Sequence, residues 1–210
     1  MSVRDVNFAE PFFSVKYIVR EPKFAVGEKS IVLNLAQNPI DISRQGLGFF
    51  RSTVVTNFTI EHIERCFVIE NFQRHVDHEE LFRHIRETWT LMYELTKLER
   101  HKGVQLYRSP KIKLGNLEAN MCFADAVPLK VGLHRTHWGD RPIREAHTQI
   151  LGYGCMQQCR QQDVSTLYRE DPMSPGCTHE PMYDEDCVYP WHQYETTTKA
   201  IFMATELQPD

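Results

Sequence analysis

The chain has 210 residues, with 24 Lys and Arg against 28 Asp and Glu, a formal net charge of -4, 41% hydrophobic residues and 25% charged residues. This composition is that of an ordinary globular protein, and it argues against a long disordered region and against a strongly basic nucleic-acid-binding surface. No apolar run approaches the roughly 20 residues of a membrane span, and the N-terminus lacks the charged-then-apolar order of a signal peptide. We therefore expect a cytoplasmic protein that contacts neither a membrane nor nucleic acid.

The N-terminal part is predicted to consist of strands. Its apolar runs are rich in β-branched and aromatic residues and are separated by Gly27, Pro39, Gly46 and Gly48, as strands separated by turns are. The predicted strands cover residues 12–20, 30–36, 49–56 and 65–72.

One amphipathic helix is predicted over residues 77–100. Asp77 and Glu80 have the spacing of a capping box, and Gly103 follows the expected end. Apolar residues recur every three or four positions on one face, namely Leu81, Phe82, Ile85, Trp89, Met92 and Leu95 or Leu98. We expect the helix to pack outside a sheet, and we interpret the nearby His101 as a solvated surface residue.

Short strands return after the helix and are separated by turn signals, a pattern typical of an all-β barrel or sandwich. They cover residues 104–108, 117–124, 129–133, 145–157, 164–169 and 194–205. Because no point divides the chain cleanly, we predict a single domain over residues 1–210. Within it, residues 1–110 form N-terminal strands and a helix that packs on the barrel, and residues 111–205 form the barrel core.

An unusual polar strand face lies in the C-terminal part. Glu145, His147 and Gln149 are spaced two residues apart, so they share one face of the predicted strand. Since unpaired burial of such groups costs several kcal/mol, we expect them to face solvent or to bind something. His134 and His137 precede them in a turn-rich stretch.

Two further segments carry candidate functional groups. A Pro175-Gly176 turn leads to His179 at the start of another strand, and an aromatic stretch contains His192 and Tyr194. Each imidazole also has a structural interpretation: His179 as a cap of the turn, and His192 as packing between aromatic rings. The corresponding alternative for His147 is a hydrogen-bonded residue that lines the barrel.

These segments resemble the two sequence motifs of the cupin superfamily. Glu145 is followed by six residues and then Gly152, as in the first cupin motif. Gly176 is followed by two residues and then His179, as in the second. The resemblance covers residues 129–205 and implies a mainly-β, cupin-like jelly-roll barrel with additional N-terminal strands and one amphipathic helix.

The chain departs from the cupin pattern at three points. His134 and His137 are spaced H-x-x-H instead of H-x-H, and seven residues separate His137 from Glu145. Pro175 also directly precedes Gly176.

The resemblance implies one divalent metal held by imidazoles and a carboxylate inside the barrel. The candidate ligands are His134, His137, Glu145, His147 and His179. His147 competes with His134 and His137 because it shares a face with Glu145, and which of the three bind stays open. Fe(II) suits such a donor set best, and Mn, Ni, Cu or Zn are also compatible.

Other residues are candidates for substrate contact and proton transfer. His192 and Tyr194 are the candidates for catalytic proton transfer. Gln149, Gln157, Arg144 and Tyr168 are the candidates for substrate contact, and Arg144 is suited to bind a substrate carboxylate by bidentate contacts.

Three functions are compatible with these residues. The first is an Fe(II) oxygenase that acts on a small polar or aromatic metabolite. The second is a non-oxidative lyase or isomerase in which the metal is a Lewis acid, and the third is a cupin that binds a small ligand without turnover. Strand-rich N-terminal arms of cupin-like proteins commonly pair with a partner subunit, so the resemblance also implies a homodimer.

The six cysteines are predicted to be free thiols, because the chain shows no signal peptide. Cys155 and Cys159 lie on one predicted strand, where a separation of four residues spans about 13 Å. That distance is too long for a shared tetrahedral zinc ion.

Overall fold

The structure is a computed structural model that describes residues 1–75, 79–135, 143–180 and 189–208. No helix within these ranges is long and apolar enough to cross a membrane. The chain divides into two compact units: an N-terminal unit (Met1–His84 and Gly176–Thr178) and a C-terminal unit (Ile85–Pro175 and His179–Asp210). The single domain expected from the sequence remains a prediction.

The N-terminal unit is built on an antiparallel sheet. Its elements are β1 (Ser2–Val6), β2 (Ser14–Val26), β3 (Ser30–Asn34), β4 (Ile40–Ile42), β5 (Gln45–Leu47), β6 (Ser52–Val55), β7 (Phe58–Glu70) and α1 (Glu79–Thr88), which continues into the C-terminal unit. The strands follow the order β1-β2-β7-β3-β6, and β4 pairs with both β5 and β7.

The longest strand pair of this unit extends beyond its predicted limits. Arg20 and Pro22 have no partner in the ladder with β7. β2 nevertheless continues past residue 20, because the pairs on either side of them, such as Val19 with Arg65, keep one register with β7. Proline has no N–H to donate, so it is tolerated where the pairing lapses. Side chains from β2, β3, β4, β6 and β7 form the core of the unit.

The C-terminal unit contains two sheets. Its elements are β8 (Thr90–Leu91), α2 (Met92–Thr96), β9 (Leu106–Arg108), β10 (Ile112–Leu114), β11 (Leu117–Ala124), β12 (Arg144–Leu151), β13 (Gly154–Cys159), β14 (Leu167–Met173), β15 (Trp191–Thr196) and β16 (Ala200–Leu207). One sheet has the order β12-β16-β11-β9-β8, with β10 paired to β11, and the other has the order β14-β13-β15.

The inner faces of these two sheets share one hydrophobic core. Cys122 and Phe202 from the first sheet pack with Met156 and Tyr194 from the second, and the rings of Tyr194 and Phe202 are 4.6 Å apart. Burial of these side chains between the sheets is the main force that closes the barrel. The prediction of a mainly-β fold with few helices is confirmed.

The helix predicted over residues 77–100 is shorter and is interrupted. α1 ends at Thr88, and Thr90 and Leu91 form β8 by pairing with Arg108 and Tyr107 of β9. The β-branched and aromatic residues around this point favour strand over helix, and the pairing to β9 satisfies their backbone. The helical periodicity indicated the buried face of α1 correctly but could not reveal this pairing.

The segment after β8, α2, has no buried residue, and three of its residues contribute to the cavity of the C-terminal unit. Met92, Leu95 and Thr96 of α2 line the interior cavity of the C-terminal unit. His101, which the sequence analysis interprets as solvated, is buried, and its Nδ1 lies 2.8 Å from the Thr96 hydroxyl.

Two long predicted strands are each divided into a pair. The strand predicted over residues 145–157 is β12 and β13, separated by a turn at Gly152, which has a φ of 69°. The strand predicted over residues 194–205 is β15 and β16. Residues 129–133, predicted as a strand, take part only through the isolated bridge of Lys130 with Glu195, next to that of His134 with His192.

Candidate functional site

The C-terminal unit contains a partly open cavity of about 360 Å³. Its charged and imidazole lining consists of Arg100, His101, Arg108, Lys111, His134, Glu145, His147, His192 and Glu206. Its apolar lining includes Met92, Leu106, Met156, Tyr194 and Phe202. A cavity of this size, mainly apolar with a few convergent polar groups, is the usual form of a small-molecule site.

Glu145 and His147 reach this cavity from β12, on the shared face that the sequence predicts. The Glu145 Oε1 and His147 Nε2 atoms are 3.5 Å apart, and both side chains are largely buried. The start of β12 is held by Tyr189, whose hydroxyl accepts from the Glu145 N–H at 2.9 Å and donates to the Ile143 carbonyl at 2.7 Å. Tyr189 is therefore a supporting residue that the sequence analysis did not single out.

His134 and His192 reach the cavity from the other side of the barrel. Their backbones pair with each other, and the two ring centroids are 4.3 Å apart. The Nδ1 of His134 lies 3.0 Å from the Gly132 carbonyl oxygen, and that of His192 lies 2.9 Å from the Pro190 carbonyl oxygen. Since a carbonyl can only accept, each Nδ1 carries a proton, and in the neutral ring Nε2 is then the nitrogen with the lone pair.

His179 uses its ring differently. Its Nδ1 donates to the Glu180 carbonyl oxygen at 2.8 Å, and its Nε2 accepts from the backbone N–H of His147 at 3.0 Å. The same Nε2 is 3.1 Å from the His147 Nδ1. Burial, followed by the nearby His147, lowers the pKa of His179 to about 3, so the ring is neutral. The structure therefore places His179 behind His147 and not among the residues that line the cavity.

Tyr194 lines the cavity, but its hydroxyl is engaged. It donates to the Gln149 Oε1 at 2.8 Å, while the Gln149 amide donates to the Leu151 carbonyl oxygen. Burial raises the pKa of Tyr194 well above its ordinary value. The hydrogen bond to Gln149 fixes the orientation of the Tyr194 side chain. Gln149 itself is not among the residues that line the cavity.

The remaining predicted substrate contacts also lie away from the cavity lining. Gln157 bonds to Glu170, Glu195 and Gln193 across neighbouring strands. Tyr168 is half-exposed and donates to Gln158. Arg144 begins β12 and is also not part of the lining.

The described residues include four of the five predicted metal ligands. His137 lies outside them, as does Cys187. Among the described side chains, no group of three or more His, Cys, Asp or Glu stands close enough together to hold a metal ion. The donor chemistry nevertheless fits, because His134, His147, His192 and Glu145 are among the residues that line a single cavity, and imidazoles with a carboxylate are common metal donors.

Three cations in the cavity were not anticipated from the sequence. Lys111 is neutralised by Glu206 at 2.7 Å and Glu118 at 3.1 Å. Arg100 and Arg108 also line the cavity, and burial lowers the pKa of Arg100. No local pattern marks these residues, because they reach the cavity only through strand pairing and the turn after α2.

The cysteines of the described residues are free thiols, as predicted, and four of the five are buried. Cys155 and Cys159 lie on the single strand β13. Cys122 lines the cavity, where burial raises the pKa of its thiol to about 12. It therefore stays protonated and is a poor nucleophile at neutral pH.

No family model matches the chain, and no curated protein matches it. Among solved structures, the chain is similar to a cupin 2 conserved barrel domain protein from Leptotrichia buccalis, with 12% identity, a TM-score of 0.38, and coverage of 99% of this chain and 89% of that one. It is also similar to AerE from Microcystis aeruginosa, with 9% identity, a TM-score of 0.37, and coverage of 99% and 97%.

A third similar structure is salicylate 1,2-dioxygenase from Pseudoaminobacter salicylatoxidans, with 7% identity, a TM-score of 0.41, and coverage of 92% of this chain and 67% of that one. Cupin proteins thus stand among the structural neighbours, in agreement with the resemblance seen in the sequence.

Proposed function

We propose that this protein is a metal-dependent, cupin-type enzyme, an Fe(II) oxygenase that acts on a small metabolite bound in the barrel cavity. The observation that supports it is that Glu145, His147, His134 and His192 all line one cavity. We propose His192 as a metal ligand in place of His179, the histidine of the second cupin motif. The Nε2 of His179 is occupied by the backbone of His147.

The roles follow from the hydrogen bonds. Glu145 and His147 would hold the ion from β12, and His134 and His192 from the opposite sheet. A bound Fe(II) supplies open coordination positions and redox electrons. His179 positions His147 by accepting a hydrogen bond from the His147 backbone N–H. Tyr189 positions the start of β12 by accepting from the Glu145 N–H.

The metal is tested by elemental analysis of protein purified without a histidine tag. We expect about one Fe per chain, as a mononuclear site of imidazoles and one carboxylate binds. The Glu145→Gln, His192→Gln double variant should lose it, and His62→Gln, at an exposed position of the N-terminal unit, should keep it. Full metal content in the double variant would contradict the proposed metal site.

A second variant tests the assignment of His179. If His179 only positions His147, His179→Gln should keep most of the metal, because a Gln side chain can still accept from the His147 N–H. If His179→Gln loses as much metal as the double variant does, His179 is itself a metal ligand.

A second candidate function is favoured by one observation, the lack of a preassembled three-ligand cluster among the described residues. It is the binding of a small ligand without metal and without turnover. Protein that stays free of metal after anaerobic soaking in Fe(II), yet binds ligand, would select it. A lyase or isomerase with the same metal ligands would instead keep its activity without oxygen or with Zn in place of Fe.

A further inference from the structure

We infer that the ligand of the cavity is an amphipathic carboxylate, held by Arg108 at its acidic end and by apolar side chains along its body. This deepens the proposed function and rests on the same cavity being the substrate site. Carboxylate binding was expected of Arg144, which is not among the residues that line the cavity, and we assign that role to Arg108.

Arg108 has the position of a ligand contact. It ends β9, where its Cα pairs with that of Cys122 on β11, and both side chains line the cavity. The Arg108 Nε is buried and has no hydrogen-bond partner in the part of the chain that the structure describes. A buried guanidinium donor without an acceptor is unfavourable, and a ligand carboxylate would accept from it, in the bidentate geometry that arginine favours.

The charges of the cavity favour an anion. Lys111 is balanced by Glu206, and Glu145 lies beside His147. Neither Arg100 nor Arg108 forms a salt bridge with a carboxylate of the described residues, although both line the cavity. With neutral imidazoles, the described lining carries three positive side chains (Arg100, Arg108 and Lys111) against two carboxylates (Glu145 and Glu206), an excess of one positive charge. Glu145 interacts electrostatically with Arg100, and a metal ion bound near Glu145 would increase the positive excess.

The rest of the lining fits an apolar body. Met92, Leu106, Met156 and Phe202 line the same cavity as the arginines, and Tyr194 packs on Phe202. Methionine side chains adapt to aromatic surfaces. The ligand class that matches both halves is a small carboxylic acid with an apolar or aromatic body.

Calorimetric titration with 3-phenylpropanoate and its neutral analogue 3-phenylpropanamide tests this inference. We expect wild-type protein to bind the acid more tightly than the amide by about tenfold or more, as a charge-assisted contact does. Arg108→Gln should abolish this preference, and Arg108→Lys should keep part of it. Arg160→Gln is the matched control, because Arg160 is an exposed arginine of the same unit that lies over Tyr168, and it should leave the preference unchanged.

The inference is overturned by equal binding of acid and amide to wild type, by binding of neither, or by an unchanged preference in both Arg108 variants. Circular dichroism spectra confirm that each variant is folded. The titrations are run on Fe(II)-loaded and on chelator-treated protein, and metal content is measured for each variant. Equal binding of acid and amide to wild-type protein that has its normal metal content would overturn the carboxylate inference alone, whereas an acid preference in protein that holds no metal would overturn the metal proposal alone.

Discussion

Single histidines of the C-terminal unit show how local hydrogen bonds decide the role of a ring. In His134 and His192 the Nδ1 proton goes to a backbone carbonyl, and the Nε2 lone pair is kept in a ring that lines the cavity. In His179 the same Nδ1 pattern leaves Nε2 to accept from a backbone N–H. Residue type and spacing alone do not separate these cases.

His101 supports a prediction about pH. It is buried, and burial, followed by the charge of Arg100, lowers its pKa from 6.5 to about 4. Above pH 6.5 the ring is neutral in both states, so it has no effect. As the pH falls below 6.5 the unfolded state takes up the proton first, so stability falls until about pH 4, by up to about 3 kcal/mol.

We test this by urea unfolding of wild type and His101→Gln between pH 7.5 and 4.5. The variant should have a shallower loss of unfolding free energy over this range, because the protonation site is gone. Parallel pH dependences for the two proteins would contradict the role assigned to His101.

At the level of elements, the turn between β12 and β13 explains the glycine of the first motif. Gly152 has a φ of 69°, and a Cβ at this position would overlap the Lys199 carbonyl oxygen. The six-residue spacing from Glu145 therefore reflects the length of β12 and a turn that packs against the chain just before β16.

Gly152→Ala is expected to lower the unfolding free energy by about 3 kcal/mol or more, the sum of left-handed strain and overpacking. Gly115→Ala is the matched control, because Gly115 has the same φ of 69° with no atom within 4 Å of an added Cβ. It should cost only about 1–2 kcal/mol. Equal losses in denaturant unfolding would show that the close approach to Lys199 contributes nothing.

For the whole molecule, we propose the homodimer that the cupin resemblance implies. In the N-terminal unit β1 is the last strand of its sheet path, and Val3 on it is 47% exposed. An edge strand with an exposed apolar side chain is suited to pair with a second chain.

Light scattering after size exclusion should give twice the mass of one 24.7 kDa chain. Val3→Glu should weaken the dimer by about tenfold or more, because a buried unpaired charge opposes association. A wild-type mass of one chain, or a dimer unaffected by Val3→Glu, would refute pairing through β1.

The sequence by itself determined the features that depend on neighbouring residues. Alternation along a strand placed Glu145 and His147 on one face, and the strand over residues 117–124 has the predicted limits. The mainly-β class follows from many such short patterns. Each depends on interactions within a few residues, which the order of side chains specifies.

Only the tertiary structure decided the choice of His192 over His179 in the proposed ligand set and the entry of Arg108 into the cavity. His134 meets His192 by bridging across 58 positions, and Arg108 reaches Cys122 by pairing of β9 with β11. Thr90 and Leu91 likewise leave the predicted helix to pair with β9. Such long-range pairing is fixed by the burial of whole sheet faces, which no local pattern records.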